Sequence, residues 1–240
     1  MAVIETHQLS KVYNTEKIPV YALNQVDLTI EEGEFTSIVG PSGSGKTTML
    51  NMIGGLDVPS SGSVSVQGTD LSQLSDSELI KFRLHHIGFV FQAFNLIPVL
   101  TAIENISFLL QMQGISEKKG RERAMELLEA VGLKDRMNNR PNELSGGQQQ
   151  RVAVARALAS KPDFVLADEP TASLDSKSSE NLLDIMLRLN EEQNITFVFS
   201  THDPRVIKRA RRVVMLEDGR IKKDDRNPNP ESVTNSDLVS

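Results

Sequence analysis

Five short apolar runs recur along the chain, at residues 35–39, 87–91, 164–167, 196–200 and 213–216. They are rich in β-branched and aromatic residues. They lack the regular alternation of apolar and polar residues that is typical of a strand with one solvent-exposed face. Helical patterns separate most of these runs. We therefore predict buried strands of a mainly parallel sheet joined by helices, which is the α/β class.

Two other segments alternate apolar and polar residues, at positions 26–30 and 64–66. This period of two is typical of half-exposed strands. The N-terminal part should therefore contribute a small antiparallel sheet.

The middle of the chain shows helical patterns rather than strand patterns. Thr101 and Glu104 have the spacing of a capping box, which predicts a helix start. A second helix shows an apolar face at helical spacing, with Gly132 as its expected stop: Ala124, Leu127, Leu128 and Val131. From residue 93 to residue 160 the patterns predict only helices.

The last third repeats these signals. One apolar face recurs at helical spacing: Leu182, Ile185, Met186 and Leu189. Asp218 and Gly219 then predict a tight turn between two strands. The predicted organisation is an α/β core of residues 1–92 and 161–223, a helical insertion at 93–160, and a polar tail at 224–240 that should be flexible.

Composition narrows the class of protein. Hydrophobic residues make up 39% and charged residues 24%, as in a folded globular chain. No apolar run approaches the roughly 20 residues of a membrane span, and the first residues lack the pattern of a secretion signal, so we expect a cytoplasmic protein. The absence of cysteine excludes disulfides and thiolate chemistry. The net charge of −6 argues against general nucleic-acid binding.

Residues 40–47 read Gly-Pro-Ser-Gly-Ser-Gly-Lys-Thr and fit the phosphate-loop pattern, after a predicted strand and before a helix. Glycines let backbone N–H groups point at phosphate oxygens. Lys46 adds a positive charge for the β- and γ-phosphates, and the Thr47 hydroxyl suits Mg²⁺. A glycine-rich turn is the competing interpretation, but the flanking elements favour a nucleoside triphosphate site.

Two adjacent acids, Asp168 and Glu169, end the apolar run at 164–167. Asp168 is suited to support Mg²⁺, and Glu169 to orient or deprotonate an attacking water. Acids in this place also cap helices, and taken alone the two interpretations are equally good. The phosphate loop favours the catalytic one.

Residues 144–151 read Leu-Ser-Gly-Gly-Gln-Gln-Gln-Arg and introduce a helix. Ser145 and Gly147 can present a hydroxyl and a backbone N–H to phosphate at that helix start. Taken alone, the same residues are more typical of a turn with an N-cap.

Together with Gln92, the run 173–175 and His202, these motifs resemble the ATP-binding subunits of ABC transporters, over Tyr13 to about Lys222. Within that family the chain is similar to the LolD and MacB branch. The resemblance implies a P-loop NTPase, RecA-like α/β core with a small antiparallel β subdomain and an inserted α-helical subdomain. The run 172–173 departs from relatives, which often carry Gly-Ala or Gly-Asn there.

The resemblance also implies the roles of individual residues. Catalysis is assigned to Glu169, His202 and Gln92, and Mg²⁺ to Thr47, Gln92 and Asp168. The nucleotide contacts implied are Tyr13, which would stack on adenine, and Gly40, Ser42, Gly43, Ser44, Gly45, Lys46, Thr47, Thr48, Ser145, Gly146, Gly147, Gln148 and Asp175.

The implied partners are a second copy of the chain, through ATP sites shared between the copies, and a separate transmembrane permease. Residues 94–100 are the segment that the sequence favours as the permease contact. A soluble ABC ATPase acting on DNA or ribosomes is the main alternative, and a P-loop kinase is a weaker one. The single ATPase domain and the acidic charge favour the transporter subunit, peripheral to the membrane. The cargo stays open.

Overall fold

The computed structural model describes residues 1–14 and 18–226. Its strands are β1 (Ala2–Tyr13), β2 (Val20–Glu31), β3 (Phe35–Val39), β4 (Ser61–Val66), β5 (Thr69–Asp70), β6 (Ile87–Val90), β7 (Phe164–Asp168), β8 (Thr196–Ser200), β9 (Arg212–Glu217) and β10 (Arg220–Arg226). Its α-helices are α1 (Lys46–Ile53), α2 (Asp76–His86), α3 (Ala102–Met112), α4 (Glu117–Ala130), α5 (Gly146–Ala157), α6 (Ser176–Gln193) and α7 (Pro204–Arg209). Short 3-10 turns lie at Leu71–Gln73, Lys134–Arg136 and Pro141–Glu143.

The larger sheet has the strand order β10-β9-β3-β8-β7-β6, and its five strands from β9 to β6 are parallel. All five predicted buried strands lie in it, within one or two residues of their predicted bounds. Every residue of β3 and β8 is buried. Three of their rings, Phe35, Phe197 and Phe199, pack with centroids 4.7 to 5.9 Å apart. The prediction of a mainly parallel α/β sheet is confirmed.

The smaller sheet has the order β2-β1-β4-β5 and is antiparallel where its strands pair. The two predicted half-exposed segments lie in β2 and β4, but the sequence patterns did not indicate β1. Its pairing with β2 shifts register between Thr6 and Leu9, and Gln8 has a positive φ of 45°. Thr6 is buried, and its hydroxyl donates to the Val26 carbonyl. A bulge and an inward polar residue therefore hid the period of two.

Residues 93–160 contain α3, α4, α5 and turns, and no strand, as predicted. The capping box of Thr101 and Glu104 opens α3. The apolar face of α4 is buried, and Gly132 follows the helix with a φ of 69°. This face shares one apolar core with residues of β3, β7 and β8. The second core lies between the other face of the large sheet, α1 and the small sheet.

The helix α2 was not predicted, because none of its residues is buried and it has no apolar stripe. The start of this helix could nevertheless have been predicted from the sequence. Ser75 and Glu78 form a capping box with the same spacing as Thr101 and Glu104. Among the described residues, no helix is long and apolar enough to cross a membrane.

The turn at Asp218 and Gly219 is confirmed, with φ values of 47° and 70° that suit a tight hairpin. The prediction of a flexible tail from residue 224 is wrong for residues 224–226, which belong to β10. The rest of that tail lies outside the described residues. Composition missed this end of β10 because its residues are polar, whereas the strand is formed by backbone pairing with β9 and by contacts of Arg212 in that neighbouring strand.

Arg212 has a side chain only 6% exposed, so its charge needs partners. Its Nε and Nη2 atoms donate to the two carboxylate oxygens of Asp224, at 2.8 and 2.6 Å. Its Nη1 atom donates to Glu34 at 2.9 Å and to the Thr29 carbonyl at 2.6 Å. The hydrogen bonds from Arg212 lower the pKa of Asp224. One guanidinium therefore links β10 to β9, to the end of β2 and to the turn before β3.

Replacing Asp224 by asparagine should lower the free energy of unfolding by about 1–2 kcal/mol at pH 7, because Arg212 keeps Glu34 but loses a charged partner. Urea denaturation measures this change. The pKa of Asp224 is depressed in the fold, so its contribution is present above the unfolded value of about 3.9 and is lost as the pH falls through the folded value. The difference between wild type and Asp224→Asn should therefore shrink in acid.

Asp225→Asn is the matched control, because within residues 1–14 and 18–226 Asp225 pairs only with the exposed Lys223. It should change the free energy of unfolding by less than about 0.5 kcal/mol. Equal effects of the two variants would contradict the role assigned to the Arg212 contact.

Candidate active site

Three neighbouring parallel strands, β3, β8 and β7, end at one edge of the large sheet. Each strand is followed directly by residues singled out in the sequence. Backbone hydrogen bonds tie these segments together, from Glu169 N–H to the Ser200 carbonyl at 2.8 Å and from Thr201 N–H to the Ile38 carbonyl at 3.1 Å. Open α/β sheets bind ligands at the carboxyl ends of their strands, and this edge has that position.

A pocket of about 530 Å³ opens at this edge. It is lined by ten of the predicted site residues: Gly40, Ser42, Gly43, Gly45, Lys46, Thr47, Thr48, Gln92, Glu169 and His202. The structure therefore brings the phosphate-loop residues into one pocket with all three residues predicted to be catalytic. The unpredicted residues Val20, Tyr21 and Ala22 complete one wall.

The glycine-rich loop is pressed against neighbouring backbone. Gly45 has a φ of 104°, and a Cβ placed on it would lie 2.2 Å from the Ala22 carbonyl oxygen. Gly40 would meet the Leu216 carbonyl oxygen at 2.0 Å. Ser44 lies between them and is buried. No side chain fits at the two glycines, so the loop can only curl tightly onto β2 and β9 and aim its N–H groups at the pocket.

Lys46 is the first residue of α1, and its Nζ donates to the carbonyls of Gly40 at 2.7 Å and Pro41 at 2.9 Å. Burial lowers the pKa of Lys46, while the nearby charges of Glu169 and Asp168 act in the opposite direction. The ammonium thus lies inside the loop beside the helix N-terminus. Both features favour the binding of an anion.

Thr47 lies beside Asp168, with 3.3 Å between the hydroxyl oxygen and a carboxylate oxygen. Asp168 is at the end of β7 and does not line the pocket itself. Hydroxyl and carboxylate oxygens are hard ligands of the kind that Mg²⁺ prefers. With the Gln92 amide in the same pocket, the residues present fit a magnesium ion that also contacts phosphates.

Glu169 has both carboxylate oxygens engaged. Its Oε1 lies 2.7 Å from His202 Nδ1, and its Oε2 accepts a hydrogen bond from the Thr201 hydroxyl at 3.0 Å. Its backbone is left-handed, with a φ of 45°, which is unfavourable for a residue with a Cβ. Such strain often occurs at functional sites. The result is a carboxylate held in one orientation at the pocket wall.

No sequence motif singled out Thr201, Thr171 or Asp203. Thr171 donates to the carboxylate of Asp203 at 2.6 Å, which joins the segment after Glu169 to the segment after His202. Burial alone would raise the pKa of Asp203, but hydrogen bonds from Arg205 and Thr171 outweigh it and lower the pKa. The only sequence signal for these three residues was that they lie next to, or close to, Glu169 and His202 in the chain.

Tyr13 lies beside the pocket rather than among its lining residues. Its hydroxyl donates to Asp57 at 2.8 Å, and Lys11 Nζ lies 5.0 Å from the ring centroid. Burial and the Asp57 carboxylate raise the pKa of Tyr13, while a contact with Thr48 lowers it. The contact with Thr48 places the ring near the phosphate loop. Its stacking on adenine stays a prediction, and Tyr21 is a second exposed aromatic residue at the pocket wall.

The signature residues do not reach this pocket. Ser145 is the N-cap of α5, accepting from Gln148 N–H at 3.3 Å, while the Gln148 side chain accepts from Ser145 N–H at 2.8 Å. Gly146 and Gly147 open the helix, and a Cβ on Gly147 would meet Ser178 of α6 at 2.8 Å. The turn-and-cap interpretation is therefore correct for the local structure. This cap engages the N–H groups of Ser145 and Gln148, so those of Gly146 and Gly147 are the ones left for a second role.

Asp175 is the N-cap of α6, and hydrogen bonds from Ser178 lower its pKa. It also lies outside the pocket. One chain thus contains a phosphate-loop pocket and, separately, a helix start with Ser145, Gly146, Gly147 and Gln148. The nucleotide contacts predicted for these four residues and for Asp175 are not made within one chain's pocket.

Comparisons with known proteins give this geometry a family. The family model described as ABC transporter matches residues 23–172. The uncharacterized ABC transporter ATP-binding protein MJ0796 of Methanocaldococcus jannaschii is 48% identical over 227 residues, which cover 93% of this chain and 97% of that protein. The lipoprotein-releasing system ATP-binding protein LolD of Bacteroides thetaiotaomicron is 49% identical, covering 84% and 93%.

A longer relative matches as well. The macrolide export ATP-binding/permease protein MacB of Syntrophobacter fumaroxidans is 45% identical over 91% of this chain, but the match covers 31% of MacB. Among solved structures, the dimeric ATP-binding cassette MJ0796 bound to ADP and Pi superposes with a TM-score of 0.85 at 46% identity. That match covers 94% of this chain and 99% of the other.

Proposed function

The chain belongs to the ABC transporter family as an ATP-binding, ATP-hydrolysing subunit, and from this premise we propose that two copies close around ATP and drive a separate transmembrane subunit. The observation that carries the proposal is the division of the site. The phosphate loop, Gln92, Glu169 and His202 share a pocket, whereas the signature residues lie outside it. A pocket of this kind is completed only by a second molecule.

ATP binding depends on the loop after β3. The phosphate loop from Gly40 to Thr48 offers N–H groups and the helix start to the phosphates, and Lys46 exchanges its contacts with loop carbonyls for contacts with phosphate oxygens. Tyr13 stacks on the base from the rim of the pocket. Thr47 and Gln92, supported by Asp168, would hold Mg²⁺, which supplies positive charge to the β- and γ-phosphates.

Hydrolysis depends on Glu169. Its carboxylate faces the pocket, is fixed by Thr201 and His202, and is in a position to orient or deprotonate a water molecule. His202 is exposed and close to Glu169, so it can turn toward the γ-phosphate and donate a hydrogen bond. These two side chains form the hydrolytic part of the pocket.

We infer dimer formation from the start of α5, which lies outside the phosphate-loop pocket of its own chain. In a two-fold dimer the same contact is made twice, so Ser145, Gly147 and their neighbours in one copy face the ATP held by the other copy. Asp175, at the start of α6 beside Gly147, lies on the same surface. Each ATP then contacts both chains and favours the closed dimer over the open one. The dimeric structure of the relative MJ0796 bound to ADP and Pi supports the proposal of a dimer.

The membrane subunit docks, we propose, in an apolar groove of about 360 Å³. Leu56, Ile80 and Met112 line it and are 45%, 56% and 59% exposed. Arg156 forms part of the groove and donates to the carbonyls of Phe94 and Asn95, just beyond Gln92. The favoured segment 94–100 is therefore attached to the groove wall rather than forming its floor. Through Arg156, a partner bound in the groove would be mechanically linked to the segment that follows Gln92.

The relatives suggest the kind of transport. MacB joins its ATP-binding part to a permease in one chain, and LolD serves lipoprotein release. We propose by similarity that this protein lies at the inner face of the membrane and powers export or extraction of a lipoprotein or other lipophilic substrate. The acidic net charge argues against binding to nucleic acid, so no nucleic-acid partner is proposed.

Glu169→Gln should keep ATP binding but lower the hydrolysis rate at least 100-fold, since the amide cannot act as a base. ATP should then accumulate in a closed dimer that light scattering detects with ATP but not with ADP. Glu122→Gln, on the exposed face of α4, is the control and should behave as wild type. Retained hydrolysis in Glu169→Gln would remove the catalytic assignment.

The shared site can be tested by mixing two inactive chains, Ser145→Arg and Lys46→Ala. A mixed dimer has one intact site, built from the Lys46 of one chain and the Ser145 of the other. Each variant alone should be inactive, and the mixture should recover measurable ATP hydrolysis. If mass spectrometry shows mixed dimers and hydrolysis stays at background, the arrangement between chains is wrong.

Ile80→Glu should abolish co-purification with the membrane subunit from detergent-solubilised membranes, because a charge enters the apolar groove, while ATP hydrolysis by the isolated protein stays unchanged. Val99→Glu is matched, since Val99 is 73% exposed and lies outside the groove lining. It should retain the partner. Partner loss in Val99→Glu alone would place the docking surface on segment 94–100 instead.

A further inference from the structure

Gln150 lies on α5, five residues after the signature Ser145, and its side chain is completely buried. Its amide nitrogen donates two hydrogen bonds that leave the helix. One goes to the Phe91 carbonyl at 3.0 Å and the other to the Pro170 carbonyl at 2.8 Å. A single amide group therefore joins two separate loops to the signature helix.

These two carbonyls flank the proposed catalytic residues. Phe91 precedes Gln92, and Pro170 follows Glu169. The strands that carry them, β6 and β7, pair in parallel only as far as Val90 and Ala167. Beyond that point the backbone ladder no longer fixes the spacing of the two segments. The amide of Gln150 bridges them at the place where the ladder ends.

The same helix holds the other side of Gln92. Arg156, six residues after Gln150, donates to the carbonyls of Phe94 and Asn95. Burial lowers the pKa of Arg156. Carbonyls on both sides of Gln92 are therefore bound by α5. A displacement of this helix must displace Gln92.

The bridge is not the arrangement that packing alone would favour. The Gln150 side-chain oxygen is buried, and no partner for it occurs in the described part of the chain. An unpaired buried carbonyl destabilises a fold, whereas an apolar side chain of similar volume avoids that penalty. Methionine would fill this space at least as well. The contribution peculiar to glutamine is the pair of hydrogen bonds to the two loops.

We propose that Gln150 is a positioning residue that sets the separation between Gln92 and Glu169 and links it to the position of the signature helix. This inference rests on the roles proposed above for those two residues. When Ser145 of α5 meets the ATP of the partner copy, the rigid helix carries that change to both catalytic segments. ATP binding at one site thereby changes the positions of Gln92 and Glu169 at the other site.

Gln150→Met tests the proposal, because it keeps the volume and removes both donors. ATP affinity and the KM for ATP should stay within about twofold of wild type, while kcat should fall about tenfold or more. The Mg²⁺ concentration for half-maximal activity should rise, since Gln92 is placed on the metal. A merely structural role would leave the kcat of the folded protein and the Mg²⁺ requirement unchanged, and that result would overturn the inference.

Gln149→Met is the matched control, because among the described residues the Gln149 side chain donates only to the carbonyl of Leu144, just before its own helix. It should retain wild-type kcat and Mg²⁺ dependence. Gln150→Leu, measured in the same way, replaces Gln150→Met if that variant does not fold. Failure of both variants to fold would assign Gln150 to stability and overturn the positioning role.

Gln92→Ala and Glu169→Gln are measured in parallel to separate the two levels of inference. Full activity in both would show that the proposed catalytic site is wrong. Loss of activity in both, combined with full activity in Gln150→Met, would leave the proposed function intact and overturn only the role of Gln150.

Discussion

The parallel hydrogen bonding of β3, β8 and β7 is the interaction on which the rest of the site depends. It pairs Ile38 with Ser200 and Ser200 with Asp168, so the three strands end at the same level. The segments after them must then emerge side by side, although Thr47 lies 121 residues before Asp168 and Glu169 lies 33 residues before His202. The phosphate loop, the acidic pair and His202 lie close together because their strands end at the same level.

Within that frame, charge is balanced by close contact rather than by solvent. Lys46 donates to carbonyls of its own loop, and Glu169 is engaged by Thr201 and His202. These contacts leave each charged group oriented toward the pocket before ligand arrives. Groups that are oriented in advance need less reorganisation when the reaction occurs. The left-handed backbone of Glu169 is consistent with this arrangement, because a strained residue persists only where its surroundings hold it.

The N-terminus of the signature helix α5 is separated from the phosphate-loop pocket of its own chain. The buried side chain of Gln150, on the same helix, reaches the segments beside Gln92 and Glu169. Ser145 and Gln150 are separated by less than two turns of a rigid helix. In the proposed dimer, the same helix would face the partner copy at one end and contact the local site along its length. This is the geometry through which we propose that the two sites are coupled.

The sequence by itself determined the class of fold and most of the chemistry, because both are written in local patterns. Buried strands need continuous apolar runs, helix starts need caps, and a phosphate loop needs its glycines and Lys46 in fixed order. From these signals the five inner strands, the helices after Thr101 and the site residues around Lys46 and Glu169 could be predicted. The bulged strand β1 and the helix α2 were missed, because neither shows a regular apolar period.

Only the tertiary structure decided which distant residues touch. Arg212 holds Asp224 in a strand that composition assigned to a tail, and Gln150 bridges the loops of Gln92 and Glu169. The contacts of Tyr13 with Asp57, and the separation of Ser145 from the pocket, are of the same kind. Such contacts join residues far apart in sequence, and no local periodicity records them. They exist because strand order and helix packing bring those side chains within hydrogen-bonding distance.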